Sequence, residues 1–125
     1  MQQQIFKPSA PLFRIGLLMI EVTDEGDLAK QLKATPVVVA LFYASWCPFC
    51  RNFISVFNKH AGKTDSAVFI RVKIDEDENP IWENYSLVAV PSAILFENGV
   101  VSRRLDCELG TGLTERQFIK WLDGH

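Results

Sequence analysis

The chain of 125 residues has only three cysteines, lacks long apolar runs and carries no excess of either charge. Each shortage excludes a class of protein. So few cysteines cannot staple a small secreted scaffold, so the fold must rest on a hydrophobic core and the cytoplasm is the expected compartment. Near the N-terminus, the apolar run Ile15-Gly16-Leu17-Leu18-Met19-Ile20 is shorter than a signal-peptide core and far short of the ~20 residues that cross a bilayer. No small-residue cleavage site follows it, because the chain passes directly into Glu21, Asp24 and Glu25. Thirteen Lys plus Arg against fifteen Asp plus Glu leave a net charge of -2, which offers no electrostatic footprint for a polyanion. Neither nucleic acid nor a membrane is an expected partner.

What is present is ordinary globular composition, with 48% apolar and 22% charged residues. Two domains would leave each with too little apolar surface to bury, so one is expected over residues 15–125. Residues 1–14, with Gln2 to Gln4 and two prolines, have no period and are expected to form a flexible extension. Met19 is a candidate alternative start, which N-terminal sequencing of native protein would test. A monomer is expected.

Along the chain, residues 15–20 read as a first strand. Asp24 or Thr23 can then cap a helix running to about Ala34, with Leu28 and Leu32 on one face. Pro36 opens Val37-Val38-Val39-Ala40-Leu41-Phe42-Tyr43-Ala44, whose lack of polar alternation predicts a strand buried on both faces of a largely parallel sheet. From Cys47 to about Ala61, Cys50, Phe53, Ile54 and Phe57 recur at helical spacing, and Gly62 sits where a left-handed residue often ends a helix. Residues 68–74 predict another strand, followed by an acidic stretch and a short helix through Trp82 and Tyr85. Asn98-Gly99 between apolar runs at 92–96 and 100–105 is a strong hairpin signal, so the last two strands are antiparallel. Thr114-Glu115-Arg116-Gln117 is a capping-box pattern ahead of Phe118, Ile119 and Leu122. The order is βαβαβαββα, an α/β fold with helices enough for both faces of a mixed sheet.

Chemistry concentrates in Cys47-Pro48-Phe49-Cys50. Two cysteines three apart in the first turn of a helix bring their side chains within reach of a short-loop disulfide and leave the first outermost. Cys47 is therefore the expected nucleophile and Cys50 the expected resolving thiol. Unpaired N–H groups and the partial positive charge at a helix start favour a thiolate over a thiol. Pro48 suits the first turn, where its missing N–H costs nothing and its φ is already helical. Trp46 and Phe49 supply an apolar rim suited to docking an extended peptide. The other reading of such a pair is half of a zinc site, with Cys107, His60 and His125 as the remaining soft ligands. No second C-x-x-C or H-x-x-x-H accompanies it, and Arg51 stands where haem attachment would need a histidine.

The segment Phe42-Tyr43-Ala44-Ser45-Trp46-Cys47-Pro48-Phe49-Cys50 resembles the active-site segment of thioredoxins. Tyr85-Ser86-Leu87-Val88-Ala89-Val90-Pro91-Ser92 resembles the family's cis-proline segment, and Phe96-Glu97-Asn98-Gly99 follows it as in thioredoxins. With Val72-Lys73-Ile74-Asp75, the similarity covers about residues 16–125. It implies a thioredoxin fold in which Pro91 is cis beside the cysteines and the Val90 backbone pairs with a bound substrate strand. It also implies a protein-disulfide reductase that works through a mixed disulfide, needs no metal or organic cofactor, and is recharged by a thioredoxin-reductase-type donor.

Several positions depart from the family pattern. Leu41 stands in place of a buried acid, and Arg71 in place of a lysine near it, expected here to run its stem to solvent. Ser55 replaces a kinking proline, so a straighter helix is expected. Cys107 falls where the family has a glycine near the groove, making a nearby third thiol possible beside the reading of a free cysteine in an apolar niche. Pro48-Phe49 is similar to the glutaredoxin dipeptide, which keeps open a glutaredoxin-like or oxidising thiol exchanger; glutaredoxins, however, place the motif after their first strand. A non-catalytic binding module or metal or cluster carrier on the same fold is the alternative of another class. The acids at 75–78 lack the spaced ligands of a calcium loop and read as solvated charge before a helix. His60 and His125 are poor general bases by sequence, and Trp82, Tyr85 and Trp121 read as packing residues.

Overall fold

The computed structural model describes residues 19–124. Five strands and four helices alternate as β1 (Ile20–Val22), α1 (Glu25–Ala34), β2 (Val37–Tyr43), α2 (Pro48–Ala61), β3 (Val68–Lys73), α3 (Pro80–Asn84), β4 (Ser92–Glu97), β5 (Val100–Asp106) and α4 (Glu115–Asp123). The strands form one sheet in the order β1-β3-β2-β4-β5. β1 and β2 both run parallel to β3, whereas β4 is antiparallel to β2 and β5 to β4. This is the expected α/β architecture.

β2 is central because its sequence gives it nothing to show to water: every residue after Val37 is buried. Its alternate side chains serve two helical layers. Phe42 and Phe96 meet Tyr85, the residue closing α3, at ring centroid distances of 5.7 Å. On the opposite face, Phe69 meets Phe57 of α2 at 5.2 Å, and α2 packs in turn on α4 through Phe53–Phe118 and Phe57–Phe118. Leu41 shares the Phe69 face, since Val39 pairs with Phe69 and Leu41 with Arg71 two residues on. It therefore lies under α2, the helix that carries Cys50.

The local signals place the caps. Asp24, not Thr23, caps α1 by accepting from the Asp27 N–H at 2.8 Å. Thr114 and Gln117 form the reciprocal capping box, with bonds of 2.8 and 3.1 Å. Asn98 and Gly99 take φ of 55° and 82°, as a primed hairpin turn requires. α2 runs without interruption through Ser55.

Three expectations are corrected. The first strand lies at Ile20–Val22, where Ile20 and Val22 pair with the buried Ile70 and Val72; residues 15–18 and the extension expected at 1–14 fall outside the described residues, as does His125. Gly62 is right-handed, with φ of -77° and ψ of -7°. Its N–H bonds the Asn58 carbonyl at 3.3 Å and Lys63 bonds that of His60 at 3.1 Å, so a further right-handed turn satisfies the helix end. Arg71 does not simply run to solvent: its Nε lies 3.4 Å from Glu21, which also accepts from the Tyr43 hydroxyl. The register sets Glu21, Arg71 and Leu41 side by side, so an acid and a base lie on the Leu41 face, with the acid two strands away on β1.

Candidate active site

The C-terminal end of β2 delivers the motif. After Tyr43 the chain leaves the sheet through Ala44 and Ser45, and Cys47 becomes the N-cap of α2 with φ of -94° and ψ of 115°. Its side chain occupies the place of the usual capping oxygen: Cys47 Sγ accepts the Cys50 N–H at 3.2 Å. An orphan amide of the helix start is thus aimed at the sulfur. Pro48 sits at the first helical position, as expected.

Both cysteines are free thiols. Cys47 is the outer of the two only narrowly, at 4% exposure against 0% for Cys50. Burial above all, and then the hydrogen bond with the Cys47 side chain, push the Cys50 thiol far above the usual range, opposed by a backbone hydrogen bond from Ala44. Leu41, fully buried on the same side of the sheet, adds only apolar surroundings. The pair is accordingly asymmetric, with one sulfur facing a helix amide and the other held neutral.

The second wall comes from the chain ahead of β4. The Val90-Pro91 peptide bond is cis, as the resemblance implied. It brings the Val90 carbonyl to 3.6 Å from Cys47 Sγ, within reach of a thiol S–H donor. Val90 and Pro91 are buried, whereas Val88 is open to solvent, as are Trp46 at 56% and Phe49 at 40%. The five non-cysteine residues expected at the site divide accordingly: Trp46, Pro48 and Phe49 stand outward in the motif loop, and Val90 and Pro91 form the wall beside Cys47.

Two further residues hold these loops, and sequence reasoning missed both. Asp75 was read as solvated charge, yet its carboxylate accepts the Ser45 N–H at 2.7 Å and the Ser45 hydroxyl at 2.6 Å. Its carbonyl accepts the Trp46 indole N–H at 2.9 Å. The Ser45 hydroxyl, then the Ser45 amide, hold the Asp75 carboxyl below the usual carboxylate range. Arg104 on β5 donates to the Tyr85 carbonyl at 2.7 Å while bridging Asp106 through two bonds of 2.9 Å, which ties the start of the cis-proline segment to the sheet. For Asp75 the signal was its position two residues past a strand neighbouring β2; for Arg104 no local signal existed.

Among the described residues no group of three or more His, Cys, Asp or Glu side chains could hold a metal ion. His60 pairs with Glu115 at 3.0 Å, and Trp82, Tyr85 and Trp121 pack or cap locally, far in sequence from the motif. No helix among the described residues is long and apolar enough to cross a membrane.

A family model described as Thioredoxin matches residues 18–123. The chain belongs to the thioredoxin family. It is 30% identical over 87 residues to a thioredoxin of Mycoplasma genitalium, covering 70% of this chain and 84% of that one. To a bifunctional thioredoxin reductase/thioredoxin of Mycobacterium leprae it is 31% identical over 87 residues, covering 69% of this chain and 19% of the larger protein. A mutant thioredoxin from Halobacterium salinarum superposes with a TM-score of 0.64 at 28% identity, covering 79% of this chain and 82% of that structure. The chain is a thiol-disulfide oxidoreductase of thioredoxin type. Its Pro48-Phe49 dipeptide, glutaredoxin-like by itself, thus sits in a thioredoxin framework.

Proposed function

We propose that this oxidoreductase reduces disulfides of partner proteins, with Cys47 as nucleophile and Cys50 as resolving thiol. The observation that carries this reading is the placement of Cys47 at the N-cap of α2, with its Sγ 3.2 Å from the Cys50 N–H and a second free thiol one turn behind it. In the proposed cycle the Cys47 thiolate attacks a substrate disulfide, forms the mixed disulfide and expels one substrate thiolate. Cys50 loses its proton and attacks Cys47, closing the internal disulfide and releasing the second substrate thiol. Trp46, Pro48 and Phe49 give the docking surface, and Val90 beside Pro91 gives backbone polar groups to an extended substrate strand.

A reductase of the thioredoxin-reductase type returns the dithiol, a role supported by the relative that carries both units in one chain. The reading requires no metal or organic cofactor. A monomer in the reducing cytoplasm fits it, since there the glutathione and thioredoxin pools keep such thiols reduced. The test is a reductase-coupled turnover assay on a protein disulfide, together with the reduction potential of the motif. Turnover abolished in Cys47→Ser and a potential near about -270 mV are expected. A potential near about -120 mV would instead make the protein an oxidant.

A further inference from the structure

The third cysteine has a place in this site. β4 and β5 pair antiparallel out to Ser92 opposite Asp106, and Pro91 and Cys107 are the next residues beyond that pair. Pro91 is bonded to Val90, whose carbonyl lies 3.6 Å from Cys47 Sγ. The loop after Cys107 turns back onto the motif from the other side. A Cβ added to Gly112 would lie 2.8 Å from Phe49 Cβ and 2.9 Å from its ring, so the Gly112 backbone rests directly on Phe49. Cys107 thus follows directly on the last strand pair beside the cis-proline, at the start of a loop whose Gly112 rests on Phe49, and it is only partly buried. Burial raises its thiol above the usual range, and the neighbouring Cys47 raises it further.

We infer that Cys107 is a second resolving thiol, able to displace a substrate from Cys47 and close a Cys47–Cys107 disulfide in competition with Cys50. The inference rests on Cys47 being the nucleophile. In the mixed disulfide, Cys47 is bonded to the substrate sulfur. Cys107 gives its proton to solvent and its thiolate attacks Cys47 Sγ; the Cys47–Cys107 bond forms, and the bond to substrate breaks. The substrate sulfur leaves as a thiolate and takes up a proton. The two electrons that reduce the substrate come from the thiols of Cys47 and Cys107, so no other oxidant or reductant enters. The physical motive is the state of Cys50: fully buried and with Leu41 on the sheet face below, it ionises reluctantly, and a partly exposed thiol on the opposite wall gives the mixed disulfide a second exit.

The test uses the full chain and one equivalent of a chromogenic aromatic disulfide, dithiobis-nitrobenzoate. Attack by Cys47 releases one coloured thiolate, and resolution releases the second. In Cys50→Ser the second release is expected to persist, and non-reducing peptide mapping is expected to show Cys47 linked to Cys107. In the double variant Cys50→Ser with Cys107→Ser it is expected to be lost, leaving the nitrothiobenzoate adduct on Cys47. Cys50→Ala replaces the serine variant should a hydroxyl prove intolerable at that buried position. A stable adduct on Cys47 or Cys107 when Cys50 alone is replaced, or disulfide-linked dimers, overturns the inference. The single variant Cys107→Ser separates the two readings, because Cys50 should still discharge its adduct. Failure there refutes the Cys47–Cys50 cycle, whereas success there with a trapped adduct in Cys50→Ser refutes only the role of Cys107.

Discussion

Removing the Asp75 carboxylate tests whether the loop ahead of Cys47 is held from outside the motif. Asp75→Ala deletes two hydrogen bonds to Ser45, of 2.7 and 2.6 Å, while the Trp46 indole keeps its bond to the backbone carbonyl. Bonds to a charged acceptor are worth about 1.5–3 kcal/mol each when desolvated, but Ser45 is exposed and water replaces part of what is lost. The Lys73 amine, 3.9 Å away, adds little at this exposure. The expected cost is therefore about 1–2 kcal/mol in total. Its pH dependence has a definite sign. Ser45 depresses the folded-state pKa of Asp75, so the contribution is present above the unfolded value of about 3.9 and is lost as pH falls through the lower folded value. Urea unfolding of wild type and variant should differ near neutral pH and converge below about pH 3. Disulfide turnover per folded molecule should also fall, because Ser45 and Trp46 set the approach to Cys47. Equal urea midpoints near neutral pH, or a gap unchanged in acid, would refute the clamp.

Cys50 titrates in the opposite sense. Burial raises its thiol in the folded state, so the reduced protein keeps the full contribution of neutral Cys50 below the unfolded value of about 8.5 and loses it as pH rises beyond. Urea midpoints of reduced wild type should fall above about pH 8.5 more steeply than those of Cys50→Ala, and parallel curves would count against a buried neutral thiol. Gly112 and Gly110 form a controlled pair, with φ of 70° and 80°, but an added Cβ meets Phe49 only at Gly112. Gly110→Ala should cost about 1–2 kcal/mol for the left-handed backbone alone. Gly112→Ala should cost more, and the excess should be relieved only in part by Phe49→Ala, which keeps the Cβ that lies 2.8 Å from the added methyl, and fully in a Phe49→Gly background, as measured by double-mutant cycles in urea. Equal costs for the two glycines would show that the loop does not rest on Phe49.

What was legible in the sequence was carried by neighbours in the chain. β2 announced itself through an unbroken apolar run, the hairpin through Asn98-Gly99, the last helix through Thr114 and Gln117, and the motif through cysteines one helical turn apart. Each of these is decided by the chemistry of residues within a few positions, and each appears where it was expected. The features that escaped are decided across the sheet. Asp75 meets Ser45 30 residues away and Arg104 meets Tyr85 19 away; neither distance leaves a periodic trace, and a run of acids looks the same whether its first member is solvated or bonded. Gly62 misled for a related reason, since a glycine past a helix permits the left-handed end without demanding it, and Asn58 and His60 still offered carbonyls to a right-handed turn. The small difference in exposure between Cys47 and Cys50 has the same origin, because the wall that covers Cys47 is Val90, 43 residues away.

Substitution across the sheet, unlike substitution along the chain, can also move a charge without deleting it. Leu41 removes the acid from its familial strand, yet Glu21 appears on the same face two strands over, held by Arg71 and by the Tyr43 hydroxyl. That arrangement pairs the Arg71 charge with Glu21 at 3.4 Å, although its Nε makes no hydrogen bond, and leaves the core around Leu41 apolar. A charge beside Leu41 would have favoured ionisation of a nearby cation and opposed that of Cys50, whereas an apolar side chain simply withholds solvation. The consequence falls on the resolving step. Cys50 is fully buried with the apolar Leu41 on the sheet face below, whereas Cys107 is partly exposed and can pass its proton to solvent.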